Sequence, residues 1–384
     1  MFVEEEHFNT FKEVWVGLGL PLVIQSKELS SAGDRDPSLT MSSAAVATAA
    51  SGVSSSSNSN TVVVVRSLPA ALEALDPRSS KKVDVEAILL EAHQIGDKGA
   101  KAFAKLCVID RFRKLKHVDR VSYHPIHTIN ISVCALTDGC CPAIGKLISR
   151  LSSLRSLRVN GNFITCDGAR HIFEALETNS SVTDVHLENN RIGGVKAMDA
   201  LHDCLAKNRT AFSKALNLQV NPIDDDGFVE LCKGLASNFH RITCLNMWRC
   251  NLGDDGMAAF AKALRRNRTI EVANFSFNEI GDAGFVEFSD ALTVNKTLTA
   301  IDVRHNYLTD RAVMSLIPVI IEKNKSLNTI QIENNEAITS EYLVKKLYDH
   351  VDRNNIGVVQ RYEDKLRREA EARERRRMNE GKWG

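Results

Sequence analysis

An asparagine-centred phrase returns along most of this 384-residue chain at a nearly constant step. One copy reads Leu154-Arg-Ser-Leu157-Arg-Val159-Asn-Gly-Asn162-Phe-Ile164, and the next runs through Val182, Val185, Leu187, Asn190 and Ile192. Later copies are anchored at Asn221, Cys250, Asn278, Asn306 and Asn335, and two looser ones place His93 and Cys134 at the anchor. Successive anchors are separated by 41, 28, 28, 31, 29, 28, 28 and 29 residues. Repetition at that period predicts stacked units, because one unit cannot bury its own apolar face without neighbours.

Each unit is predicted to open with a short strand whose leucine-like positions point into the stack. The anchor Asn, or Cys at Cys134 and Cys250, turns inward and satisfies buried backbone groups. A helix follows, as in Gly256-Met-Ala-Ala-Phe260-Ala-Lys-Ala-Leu264, with apolar residues at intervals of three and four. Asn179, Asn208, Asn238, Asn267, Asn295 and Asn324 close these helices, and the expectation is a left-handed residue at each stop. Asp224 to Asp226 and Asp254-Asp255 stand at helix starts, where carboxylates favour the amide-rich end.

This pattern resembles the leucine-rich repeat superfamily in its ribonuclease-inhibitor-like class, the repeats of ribonuclease inhibitor, Ran GTPase-activating protein and tropomodulin. The resemblance covers roughly residues 83 to 340. It implies an α/β fold: a leucine-rich repeat solenoid, a horseshoe with parallel β-strands on the concave face and helices on the convex face. It also implies a non-enzymatic protein-binding scaffold in the cytoplasm, at the cytoskeleton or a cilium. A small-GTPase regulator resembling Ran GTPase-activating protein is the alternative. Against that alternative, the family's long acidic tail has no counterpart here, and the C-terminus is basic.

Composition agrees with a binding module. The formal charge is +1 with 25% charged residues, so no global field argues for nucleic acid or an anionic membrane. No apolar run is long enough to span a bilayer. The Glu4-Glu5-Glu6 start lacks the basic-then-apolar order of a secretory signal. The nine cysteines show no framework spacing and read as reduced thiols.

Four regions are expected. Residues 1–25 carry Phe8, Phe11, Val14, Trp15 and Leu18 at helical spacing, an amphipathic segment. Residues 26–61 are Ser- and Ala-rich, a flexible linker. Residues 62–352 form the solenoid with its capping units, and residues 353–384 a charged helical tail.

Neither a catalytic nor a metal-binding pattern is expected from the motifs. Asp138 to Leu147 departs from a phosphate loop in spacing and lacks the Ser or Thr that would hold magnesium. His124, His127, Cys134, Cys140 and Cys141 do not converge for zinc once Cys134 belongs to the repeat. No cofactor, metal or small-molecule substrate is expected. Repeat phase places three rows on the concave face. The middle row runs Asn130, Arg158, His186, Asn217, Asn246, Asn274, Asp302, Gln331. In the two rows beside it Val220, Trp248 and Phe277 are apolar among polar neighbours, with Arg249, Arg304 and His305 around them. Tryptophan and arginine together favour a protein interface, so these six residues are the expected partner-binding set.

Overall fold

The computed structural model describes residues 61–76, 83–108 and 125–354. The readings for the N-terminal segment, for His124 and for the charged tail beyond residue 354 lie outside these residues. Strand β1 (Thr61–Val65) and helix α1 (Leu68–Leu75) begin the stack. The repeats then follow as β2 (Val83–Leu89), α2 (Gly96–Cys107), β3 (Thr128–Asn130) and α3 (Cys141–Arg150). Next come β4 (Ser156–Arg158), α4 (Cys166–Thr178), β5 (Asp184–His186), α5 (Val195–Lys207), β6 (Ala215–Asn217) and α6 (Asp224–Leu235). The series ends with β7 (Cys244–Asn246), α7 (Asp254–Leu264), β8 (Val272–Asn274), α8 (Asp282–Ala291), β9 (Ala300–Asp302), α9 (Asp310–Glu322) and β10 (Thr329–Gln331). A last helix, α10, covers residues 341–354.

The strands form two five-stranded parallel sheets, β1 to β5 and β6 to β10 in sequential order. Their register follows the repeat: Leu245 pairs with Ala273, and Ala273 with Ile301. The interruption falls between β5 and β6, at the 31-residue step between Asn190 and Asn221. Parallel neighbours need a crossover, and each helix supplies it while covering the apolar side of the strands. The core is one continuous cluster along the stack. Its aromatic centre brings the Phe260 and Phe275 rings to 4.7 Å and Phe228 to 5.8 Å from Phe275.

Side-chain ladders tie consecutive repeats. Asn278 Oδ1 accepts from Cys250 N at 2.9 Å and Leu252 N at 3.1 Å, while Nδ2 donates to Met247 O and Phe275 O. The Cys134 thiol takes the same place and donates to Leu90 O at 2.9 Å. Cys250 donates to Leu218 O, and burial pushes its thiol up to about 12, so it stays protonated. Helix starts carry a second ladder: Asp254 Oδ1 accepts from Gly281 N and Gly284 N of the next repeat. A Cβ on Gly284 would lie 2.7 Å from Asp254 O, which fixes glycine there.

Three expectations are corrected. Of the helix-ending asparagines Asn238 is left-handed as expected, at φ 56°, but the others are not: Asn179 has φ −85° and ψ 120°, Asn208 φ −114° and ψ 120°. They act through side chains, as when Asn295 donates to Leu264 O and Asn267 O and accepts from Leu298 N. Asn238 is exposed, and buried His240 does its work by accepting from Ile242 N and contacting Leu235 O at 3.1 Å. His93 is exposed rather than turned inward, because its imidazole reaches back to Glu91 O at 2.8 Å.

Candidate partner-binding surface

The middle row is built into the fold rather than offered as a free polar surface. Asn130, Asn217, Asn246, Asn274, Asp302 and Gln331 are all less than a tenth exposed. Asn246 Oδ1 accepts from Trp248 N at 3.1 Å, Asn274 Oδ1 from Ser276 N at 2.9 Å, and Asp302 Oδ1 from Arg304 N at 3.0 Å. Each is a two-residue side-chain turn that aims the following residue. Sideways, Asn246 donates to Gln219 Oε1 and Asn217 to Glu188 Oε1, both at 2.8 Å.

The residue just before each anchor has a conformation that sequence did not announce. Val133, Asn189, Val220, Arg249, Phe277, His305 and Asn334 have φ between 52° and 58°, and Gly161 has φ 66°. Except at Asn334 in the last described repeat, the left-handed turn aims the N–H at a carbonyl one repeat ahead. Val220 N donates to Trp248 O at 2.8 Å, Phe277 N to Arg304 O at 2.9 Å, and His305 N to Glu333 O at 3.3 Å. Backbone pairing therefore continues past the three-residue strands. The cost of this conformation for side chains other than Gly or Asn is roughly 1–2 kcal/mol per residue. A bulky side chain kept at such a position points to a use for that side chain.

Trp248, Phe277 and His305 form one aromatic run across three repeats. The Trp248 and Phe277 rings meet edge to face at 5.5 Å, and Phe277 stacks on His305 at 3.9 Å. The Arg249 guanidinium sits 5.5 Å from the Trp248 ring at one end. Asn334 Nδ2 lies 3.1 Å from His305 Nε2 at the other. Burial and the Arg304 charge lower the His305 pKa below its ordinary 6.5, so the ring is neutral at pH 7 and accepts from Asn334.

Of the six residues singled out by sequence, Trp248, Arg249, Phe277 and His305 are brought together, with Arg249 and His305 exposed. Val220 is half-buried and joins Trp248 through the backbone. Arg304 is committed elsewhere. Its Nε donates to Asp302 Oδ1 at 3.0 Å and its Nη2 to Asp302 Oδ2 at 2.7 Å. Glu333 lies beyond it and accepts the Tyr348 hydroxyl from α10, at the end of the stack. Sequence reading missed a second aromatic–arginine couple, exposed Phe163 with Arg191 4.8 Å over its ring. Both stand one place after an anchor, which was the available signal. Among the described residues no helix is long and apolar enough to cross a membrane.

The strands, crossovers and anchor ladder together define a leucine-rich repeat solenoid. Comparison with known proteins agrees. A family model described as "Leucine Rich repeat" matches residues 241–261 and 294–316. Ribonuclease inhibitor of Sus scrofa is 24% identical over 156 residues, 40% of this chain and 34% of that protein. The chain thus spans about a third of that relative. Among solved structures, leiomodin-1 actin-binding site 2 is similar over 46% of this chain and 98% of its own, with 17% identity and a TM-score of 0.40. The tropomodulin C-terminal domain of Caenorhabditis elegans is similar over 43% and 97%, with 13% identity and a TM-score of 0.37. The chain is thus similar to leucine-rich repeat proteins, ribonuclease inhibitor among them.

Proposed function

We propose that this chain is a non-enzymatic protein-binding scaffold whose contact surface is the run Arg249, Trp248, Phe277 and His305 on the sheet side, with Val220 and Arg304 at its borders. The observation that carries this reading is the aromatic run itself, whose Phe277 and His305 rings stack at 3.9 Å from strained backbone. Rigid aromatics with an adjoining guanidinium give large contact area at low entropic cost, the chemistry of interface hot spots. The run's polar groups are an exposed guanidinium and a neutral imidazole whose Nε2 is held by Asn334, which suits recognition rather than bond-making. On this reading the protein works in the cytoplasm, at the cytoskeleton or a cilium.

Proximity labelling of the tagged full chain, followed by binding of the purified candidate partner, tests the proposal. Trp248→Ala is expected to weaken that partner at least tenfold, while Arg158→Glu, several strands away, leaves it within twofold. Equal binding by wild type and Trp248→Ala removes the run from the interface.

A further inference from the structure

Helices α5 and α6 pack on each other across the interruption between β5 and β6, where strand pairing lapses and Asn189 N donates to Gln219 O just beyond the strands. Three metal-ligating side chains converge on that seam. Asp199 and His202 stand three residues apart on α5, and Glu230 reaches over from α6. One donor atom from each lies within 4.8 Å of the others. His202 Nδ1 is buried without a hydrogen-bond partner. Its nearest carboxylate oxygen, Asp199 Oδ1, is 4.0 Å away, too far for a hydrogen bond. Gly234, one turn beyond Glu230, permits this approach. A Cβ there would sit 3.1 Å from His202 Cα and 3.3 Å from His202 O.

We propose that Asp199, His202 and Glu230 bind a divalent first-row transition ion that clips α5 to α6 across the seam. One imidazole and two carboxylates are the mixed nitrogen and oxygen set that zinc accepts, whereas calcium and magnesium favour oxygen alone. Three protein ligands leave a fourth position for water. Donors at about 2.1 Å from a tetrahedral ion stand roughly 3.4 Å apart. The present spread therefore closes by side-chain rotation, for which exposed Asp199 is free. Lys233 Nζ now lies 2.6 and 2.7 Å from the two Glu230 oxygens, a resident cation that the metal displaces. The inference stands apart from the partner-binding run, which lies on the other side of the sheet.

Zinc chloride titrated into the full reduced chain by calorimetry, with the thermal midpoint followed in parallel, tests it. One equivalent is expected to bind saturably and raise the midpoint. His202→Ala and Glu230→Gln should each weaken that event at least tenfold, with metal-free midpoints close to wild type. Lys233→Met should strengthen it, and Cys166→Ser, at the half-buried thiol, should leave it unchanged. Absence of a one-equivalent event in the wild type, its survival in His202→Ala, or its loss in Cys166→Ser would each overturn the assignment.

Discussion

Phe277 and His305 stack with ring centroids 3.9 Å apart and planes inclined by 23°, and both hold left-handed backbone angles. Neither ring is placed by a regular strand, since β8 ends at Asn274 and β9 at Asp302. The turn that aims each N–H at the next repeat also stands the side chain beside its counterpart. Repeat geometry thus builds the aromatic run, and residue identity decides what it presents.

Phe277 occupies the centre of that run, so its truncation interrupts it most. Phe277→Ala should weaken the principal partner by about 2 kcal/mol. The half-buried ring contributes little to the core, so the thermal midpoint should move by only a few degrees. Titration calorimetry and a melt on the same sample separate the effects; loss of fold without loss of affinity in the folded fraction would make the ring structural.

Arg304 behaves differently from its neighbours in the run. Asp302 is 1% exposed and its carboxylate is forked by the Arg304 guanidinium. Removing the cation leaves a buried charge, so Arg304→Met should cost about 3 kcal/mol, toward the low end for buried pairs because Arg304 retains some exposure. The double variant Asp302→Asn, Arg304→Met should recover much of that loss in urea unfolding. An Arg304→Met protein as stable as wild type would free Arg304 for a role in binding.

The period alone made the fold legible, because Leu157, Val185 and Leu216 can share a core only if their repeats stack. The anchors Asn162, Asn190 and Asn278 were legible for the same reason. Left-handed angles at Val133, Val220 and Phe277 were not, since those side chains give no warning of φ, whereas Gly161 and Asn189 in the same row do. The Asp302–Arg304 fork was missed because both residues fall in polar rows, and one sequence does not reveal which polar groups satisfy each other. The grouping of Asp199, His202 and Glu230 depends on the relative rotation of two neighbouring helices, which the apolar pattern specifies only coarsely.

His186 supplies a pH-dependent part of stability. Its ring nitrogens lie 3.1 Å from Asp184 Oδ1 and 3.1 Å from Glu188 Oε1. Burial opposes the charge, but hydrogen bonds to the two carboxylates outweigh it and raise the pKa from 6.5 to about 9. A folded pKa above the unfolded one stabilises fully below 6.5, and that contribution disappears as pH rises through 9. Its full size is on the order of 3 kcal/mol at 1.36 kcal/mol per unit. The stability gap between wild type and His186→Gln should therefore narrow between about pH 6 and pH 9.5 in urea unfolding. A constant gap would show that His186 is neutral in the fold.

The anchor ladder predicts a graded series at Asn278. Asn278→Ala strips partners from Cys250 N, Leu252 N and Met247 O in the buried stack. Each orphaned group costs about 1–3 kcal/mol, so loss of cooperative unfolding near room temperature is expected. Asn278→Cys keeps one donor, as Cys134 and Cys250 do at their anchors, and should cost visibly less. Equal midpoints for the two variants would mean that the thiol does not substitute for the amide.

Strain in the left-handed row gives a pair of substitutions whose effects on stability and binding separate. Val133 has φ 53° and is 49% exposed, so its branched side chain bears the conformational cost with little burial in return. Asn189 and Asn334 hold equivalent places at φ 52° and 57°, which shows that asparagine fits the row. Val133→Asn should therefore stabilise the protein by about 1 kcal/mol, read as a higher urea midpoint at unchanged slope. Val220, with φ 56°, carries the same strain but is half-buried beside Trp248. Val220→Asn should gain less stability and also weaken binding at the proposed Trp248 surface, because it replaces an apolar border with an amide. If stability falls at Val133, packing outweighs strain there. If affinity survives at Val220, the interface ends at Trp248.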